Sequence, residues 1–142
     1  MKILELLKHI WQSGADVTLN GNEVDLVNYD NTPKEIVEFA QKDVEAIQEY
    51  LLSWKDASVV HKTMKKILLQ FCGWKHNEVI NDWLCNDDES LYQFYDWTVM
   101  LAENGWIDVY DDFRIFETEE SYNLATEIYR NACARSKRSA AN

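Results

Sequence analysis

The residues with the most evident capacity for chemistry lie between positions 72 and 89. Cys72, His76 and Cys85 have side chains that can bind a transition metal. A structural zinc site takes four ligands, usually in closely spaced pairs, and only three are evident here. The consecutive acids 87–89 could bind a hard cation, but the spacing and the glycine of an EF-hand loop are missing. We therefore predict that the protein binds no metal and no cofactor. We expect Cys72 and Cys85 to be small core residues and the acids 87–89 to be turn and capping residues.

Sequence motifs for catalysis are missing as well. The chain has no glycine-rich phosphate loop, no nucleophile elbow and no HExxH motif. His9 and His61 have no evident partner in the sequence, so a place on a helix face suits them better than a catalytic role. We predict that the protein is not an enzyme.

Charge is distributed unevenly along the chain, whose net charge is −11. Residues 76–127 hold 14 acids and a single base, Arg114, whereas residues 55–75 and 128–142 are basic. Such an acidic run is either a solvated face or a surface that attracts a basic partner through long-range electrostatics. The sequence leaves both interpretations open.

The chain carries no sign of secretion or of membrane insertion. Charged residues interrupt its first apolar stretch, "MKILELLKHIW", and no apolar run approaches the ~18 residues that a membrane span needs. Three cysteines without a CxxC pair suit a reducing compartment. We expect a cytoplasmic protein that has no membrane partner.

Helix and turn signals predict an αββα unit over residues 1–54. An apolar stripe in "KILELLKHIWQSG" predicts a helix that ends at the glycine, and Asn20-Gly21 between alternating apolar residues predicts a β-hairpin. The sequence "TPKE", residues 32–35, has the threonine and glutamate of a capping box. It predicts one helix that continues to residue 52, with Phe39 and Val44 among its core positions.

Residues 55–142 are predicted to form an acidic helical region with a basic C-terminal tail. Three amphipathic helices precede a second hairpin, in which "WIDVY" and "FRIFE" flank Asp111-Asp112, and Thr118 then caps a final helix. In the third of these helices the predicted inward stripe is Leu91, Phe94, Tyr95, Thr98, Leu101 and Ala102. The predicted fold class is α+β, mainly α-helical with two short β-hairpins: an αββα unit followed by a helical, winged-helix-like region.

Six tryptophans are more than a chain of this length needs for packing alone. Trp11, Trp83 and Trp106 adjoin periodic apolar positions and are predicted to be core residues. Trp97 lies off the predicted stripe and beside Asp96. We therefore expect Trp97 to be partly exposed, as a contact with another protein would require.

The stretches "ILELLKHIWQSGADVTLNGNEVDLV" and "TPKEIVEFAQKDVEAIQEYL" follow a known order: a helix that ends at glycine, a hairpin and a helix opened by Thr-Pro. In this order, residues 3–51 resemble the N-terminal docking domains of nonribosomal peptide and polyketide synthases, of the tubulysin-synthetase type. The resemblance implies that a short peptide of a partner protein binds along residues 16–29, by addition to the hairpin edge. The implied contact residues are Asp16, Thr18, Asn20, Glu23 and Asp25.

Residues 59–117 resemble a winged helix in the order of their elements, three helices followed by a two-stranded wing. In that fold the third helix, here Glu89 to Glu103, enters the major groove of DNA. This helix holds Glu89, Asp96 and Glu103 and has no lysine or arginine. Because neutralisation of phosphates supplies most of the affinity for DNA, we do not expect nucleic acid as a direct ligand.

Together these features predict a non-catalytic module that binds a protein with a basic surface, through the hairpin edge, the acidic face 76–127, or both. Within the acidic face the predicted contact residues are Asp87, Asp88, Glu89, Asp96, Trp97, Asp108, Asp111, Asp112 and Glu117. A first alternative is a phage- or plasmid-encoded inhibitor of a defence nuclease, of the anti-CRISPR or anti-restriction type, whose carboxylates imitate nucleic-acid phosphates. A second alternative is a winged-helix DNA-binding regulator, which would use the lysines of residues 62–75 and the basic tail.

Overall fold

The structure, a computed structural model, describes the backbone of residues 1–141 and the side chains of residues 1–135. The chain divides into two compact units, Met1–Ala57 and Ser58 onwards, which we call unit 1 and unit 2. Unit 1 contains α1 (Ile3–Gln12), β1 (Asp16–Asn20), β2 (Glu23–Val27), α2 (Lys34–Lys42) and α3 (Val44–Lys55). Unit 2 contains α4 (Val59–Phe71), α5 (Glu78–Asn86), α6 (Asp88–Glu103) and α7 (Glu119–Ala141). The fold is thus α+β and mainly α-helical, and no helix of the described residues is long and apolar enough to cross a membrane.

The hairpin of unit 1 turns at Gly21, as the sequence predicts. Gly21 has a φ of +65°, a backbone conformation in which most side chains would be strained. β1 and β2 pair antiparallel, with Asn20 opposite Glu23 and Val17 opposite Leu26. Side chains alternate across a strand, so Val17 turns inward and joins the core of unit 1. That core consists of Leu6, Leu7, Ile10, Ala15, Val17, Ala40 and Ile47.

Residues 34–55 form two helices rather than the single helix predicted. α2 ends and α3 begins at Asp43, where φ is −100° and ψ is 23°, outside the helical range. Because this break interrupts the helical phase, Phe39 and Val44 on either side of it do not share one inward stripe. Both side chains are exposed, so their prediction as core residues is wrong.

The capping box predicted at the start of α2 does not form. Pro33 occupies the cap position, which places Thr32 one residue outside the cap. The Thr32 side chain is buried instead, and its hydroxyl lies 2.7 Å from the hydroxyl of Ser13, just after α1. This hydrogen bond ties the start of α2 to the end of α1.

In unit 2, α7 packs against α4, α5 and α6. In unit 2, the starts of α6 and α7 are capped by residues that the sequence predicts for this role. Asp87 Oδ1 accepts the backbone N–H of Ser90 at 3.1 Å, and the Thr118 hydroxyl accepts that of Ser121 at 3.2 Å. The most deeply buried apolar side chains of the unit are Met64, Ile67, Phe94, Trp97, Leu101, Ala125 and Ile128.

The prediction of a second hairpin at residues 106–117 is wrong. The segment contains no strand and ends in a 3₁₀ helix, Phe113–Phe116. The carboxylates of Asp108 and Asp112 accept hydrogen bonds from the backbone N–H groups two residues further on, at 2.9 Å and 3.0 Å. These bonds satisfy locally the N–H groups that a strand would use for pairing, and they favour turns. The described residues of unit 2 therefore contain no two-stranded wing.

Two of the three tryptophans predicted for the core are buried, and Trp97 is buried against expectation. Trp83 and Trp106 lie in the core, whereas Trp11 is half-buried and donates its indole N–H to Asp16 at 2.9 Å. Trp97 is fully buried. It lies three residues after Phe94 and four before Leu101, so it belongs to the same inward stripe of α6.

We expect Trp97→Ala to lower the free energy of unfolding by about 3–5 kcal/mol, because it removes a buried indole that contacts Phe94, Trp106 and Phe113. Urea denaturation followed by circular dichroism measures this loss. The control is Tyr95→Ala on the same helix, whose exposed side chain can be removed at a change of less than about 0.5 kcal/mol. A Trp97→Ala variant as stable as this control would contradict the burial of Trp97.

Candidate functional site

The outward face of α6 presents large apolar side chains to solvent. Tyr92 is 70% exposed, Tyr95 is 62% exposed, and Val99 follows one helical turn later. These positions recur at the spacing of one helix face. We define the α6 face as the exposed residues of this helix: Asp88, Glu89, Tyr92, Tyr95, Asp96, Val99, Ala102 and Glu103.

The buried side of α6 determines which residues point outward. Its buried residues are Ser90, Phe94, Trp97 and Leu101. The buried face of α6 is therefore rotated about the helix axis relative to the predicted inward stripe. The prediction that Tyr95 and Ala102 point inward is wrong. The pattern that would have revealed the face is the recurrence of Tyr92, Tyr95 and Val99 opposite this buried stripe.

An open apolar groove continues the α6 face at its C-terminal end. It lies between the last turns of α6 and the segment that follows, and its volume is about 250 Å³. Ile107 lies at this groove and is 89% exposed. The lining residues are Thr98, Val99, Ala102, Trp106, Ile107 and Val109.

Negative charge on the α6 face is not neutralised by basic residues in the same stretch of sequence. The sequence has no lysine or arginine between Lys75 and Arg114. Arg114 is bound to Asp112, with its Nη2 2.6 Å from Oδ2 and its Nε 3.0 Å from both carboxylate oxygens. Among the described residues, no ion pair involves a carboxylate of the α6 face.

Several acids that the sequence predicts for a partner surface hold the chain together instead. Asp87 accepts the hydroxyl of Ser90 at 2.8 Å and the indole N–H of Trp83 at 3.2 Å, besides capping α6. Asp108 and Asp112 bind backbone N–H groups in their own loop. The backbone carbonyl of Asp111 accepts the indole N–H of Trp106 at 3.1 Å, and its side chain is half-buried.

Glu117 lies in a buried polar network and not on a surface. Only 7% of its side chain is exposed, and its carboxylate accepts the Ser121 hydroxyl and lies 3.2 Å from His61 Nε2. The His61 ring also meets Phe113 and Tyr122 edge-on, at centroid distances of 5.7 Å and 5.0 Å. The sequence does not reveal this partner of His61, because Glu117 lies 56 residues further along the chain.

The predicted acidic face therefore separates into two groups. Asp88, Glu89 and Asp96 are exposed and lie together on the α6 face. The others belong to a cap, an irregular loop or the network around Glu117, and Trp97 belongs to the core.

The hairpin of unit 1 places most of its predicted contact residues on one solvent-facing side. Thr18 lies opposite Asp25, Asn20 lies opposite Glu23, and all four are exposed. Asp16 is half-buried and accepts the indole N–H of Trp11. The described residues contain no third strand beside β1 or β2.

The side chains considered for metal binding do not form a site. Cys85 and His76 are exposed and Cys72 is half-buried, so the placement of Cys85 in the core is wrong. The described residues contain no group of three or more histidine, cysteine, aspartate or glutamate side chains that could hold a metal ion. Burial raises the pKa of the Cys72 thiol above its ordinary value.

We expect Glu117→Ala to lower the free energy of unfolding by about 1–3 kcal/mol, because it leaves the hydroxyl of Ser121 and the ring of His61 without their carboxylate partner. The matched control is Glu103→Ala, which removes an exposed carboxylate from the end of α6. The control should change the stability by less than about 0.5 kcal/mol in the same urea titration. Equal stability of the two variants would mean that Glu117 has no structural role.

We expect iodoacetamide to modify Cys85 faster than Cys72 at mildly alkaline pH. Only the thiolate reacts, and the raised pKa of Cys72 lowers its thiolate fraction at any pH near or below that pKa. Peptide mass spectrometry after timed quenching gives the two rates, and unfolding in urea should make them similar. Faster modification of Cys72 in the folded protein would contradict its burial.

Comparisons of the chain with protein-family models, with curated proteins and with solved structures found no match. The resemblance of residues 3–51 to synthase docking domains therefore stays a prediction. The α6 face combines exposed tyrosines with exposed carboxylates.

Proposed function

We propose that this protein is a non-catalytic binding module and that its α6 face holds a basic segment of a partner protein. One observation carries the proposal: Tyr92 and Tyr95 are mostly exposed beside Val99, on a helix face whose remaining exposed side chains are mainly carboxylates. Exposed tyrosines that lie together are typical of the centres of protein interfaces. Their burial by a partner would supply affinity, and the carboxylates would select the sign of its charge.

The acids of the α6 face favour a partner with lysine or arginine residues. Asp88, Glu89 and Asp96 are exposed, and no basic residue of the neighbouring sequence offsets them. Carboxylates attract a basic segment over a Debye length of about 8 Å at physiological ionic strength. The same charges repel nucleic-acid phosphates, so DNA and RNA are poor candidates for this face.

A nucleic-acid mimic would need its carboxylates free to meet a basic groove. Asp87, Asp112 and Glu117 are instead hydrogen-bonded within the chain, and this favours recognition through aromatic side chains over imitation of a phosphate row. The proposal accordingly assigns the contact to α6 and not to the irregular segment after it.

Strand addition to the hairpin of unit 1 is the second candidate. Its support is that no third strand of the described residues pairs with β1 or β2, while Thr18, Asn20, Glu23 and Asp25 face solvent. Neither strand contains an aromatic residue that could anchor a partner. The hairpin therefore ranks below the α6 face.

A peptide-display selection on the full chain tests the proposal. We expect enriched peptides to carry net positive charge and to bind more weakly as salt is raised. Replacing both exposed tyrosines, in Tyr92→Ala/Tyr95→Ala, should weaken binding at least about tenfold, because buried interface aromatics contribute roughly 1–2 kcal/mol each. Fluorescence anisotropy with the labelled peptide measures the affinity.

Tyr29→Ala is the matched control, since Tyr29 is also an exposed tyrosine but lies just after the hairpin. It should leave the affinity unchanged. Loss of binding in Tyr29→Ala with full binding in the double variant would transfer the function to the hairpin. Enriched peptides without positive charge, or no enrichment at all, would reject the proposed function.

A further inference from the structure

The exposed tyrosines of α6 are interleaved with carboxylates along the helix. Asp88, Tyr92 and Asp96 are four residues apart, so their side chains form one row on the helix surface. Tyr95 and Val99 form the start of the neighbouring row, which leads towards the groove. Tyr92 thus has a carboxylate one helical turn away on either side of it.

Arginine fits this arrangement better than lysine does. A planar guanidinium can stack on an aromatic ring and still donate in-plane N–H bonds to carboxylates beside it. An ammonium is a compact and strongly hydrated charge, and it cannot use the face of a ring and two flanking acids in the same way. The placement of Tyr92 between Asp88 and Asp96 therefore discriminates between two cations of equal charge.

The apolar groove lies at a fixed distance from this row. Tyr92 and Ala102 are separated by about 15 Å along the helix axis, at a rise of 1.5 Å per residue. An extended peptide covers that distance in about five residues. The groove is apolar and open, with a volume of about 250 Å³, which suits one large apolar side chain.

We propose that the partner segment on the α6 face carries an arginine that stacks on Tyr92 between Asp88 and Asp96, and a large apolar residue that enters the groove beside Ile107. This inference rests on the proposed function and specifies the chemistry of the partner. The carboxylates attract a positively charged partner segment, and the ring of Tyr92 favours arginine in it. The distance from Tyr92 to the groove determines how far apart the arginine and the apolar residue lie in that segment.

The test uses synthetic peptides and the full chain. The probe is an acetylated and amidated Gly/Ser peptide that contains one arginine and, about five positions away, a phenylalanine. One comparison peptide replaces the arginine by lysine, and another replaces phenylalanine by serine. Isothermal titration calorimetry gives the dissociation constants for wild type, for Tyr92→Leu and for the double variant Tyr92→Ala/Tyr95→Ala.

We expect the arginine peptide to bind wild type about two- to fivefold more tightly than the lysine peptide, the range that cation–π stacking at an exposed site supplies. In Tyr92→Leu, which keeps apolar area but removes the ring, this preference should fall to near unity. Replacement of phenylalanine by serine should weaken binding by about tenfold. These three results together support the inference.

The contrary outcomes separate the two proposals. Equal affinities of the arginine and lysine peptides for wild type, with binding lost in the double alanine variant, would overturn the arginine preference and leave the proposed function intact. An unchanged affinity of the serine peptide would overturn the role of the groove. No binding of either cationic peptide to wild type, or equal binding to the double alanine variant, would reject the α6 face as the site.

Discussion

The contact between the rings of Trp97 and Phe113 joins α6 to the irregular segment that follows it. The ring centroids are 5.0 Å apart and the planes are nearly perpendicular, and Trp106 completes the cluster. Residues two positions apart on a helix lie about 200° apart around its axis. Burial of Trp97 therefore forces Tyr95 and Val99 outward, and the same contact that closes the core also creates the exposed face.

The carboxylates of unit 2 are divided between structure and surface by this arrangement. To bring Phe113 to Trp97, the segment after α6 must turn sharply, and Asp108 and Asp112 stabilise those turns through backbone N–H groups. The carboxylates of Asp108 and Asp112 thus bind groups within the chain, whereas those on the α6 face are exposed to solvent and accessible to a partner. Net charge alone would not separate these roles, because both groups belong to one acidic stretch of sequence.

Local sequence patterns predicted the turns and caps that depend only on residues close in sequence. The turn at Gly21 and the cap at Asp87 depend on neighbouring residues, and both were recognisable. The segment 106–117 alternates apolar and polar residues as a strand would, but Asp108 and Asp112 bond to nearby backbone N–H groups and favour turns. Its Phe113 also packs against Trp97, a contact that no local pattern encodes. Acids 88, 89 and 96 of the candidate site were predicted as contact residues. The wrong phase of the predicted stripe placed Tyr95 inward, and Tyr92, which lies off that stripe, was not assigned to a contact surface.

The central claim is that α6, rather than the hairpin, is the contact surface. Amide chemical-shift mapping of the ¹⁵N-labelled full chain with a bound, selected peptide tests it most directly. The account predicts the largest shift changes in residues 88–103 and at Ile107, with residues 16–29 unchanged. Changes concentrated in residues 16–29, with α6 unaffected, would contradict it.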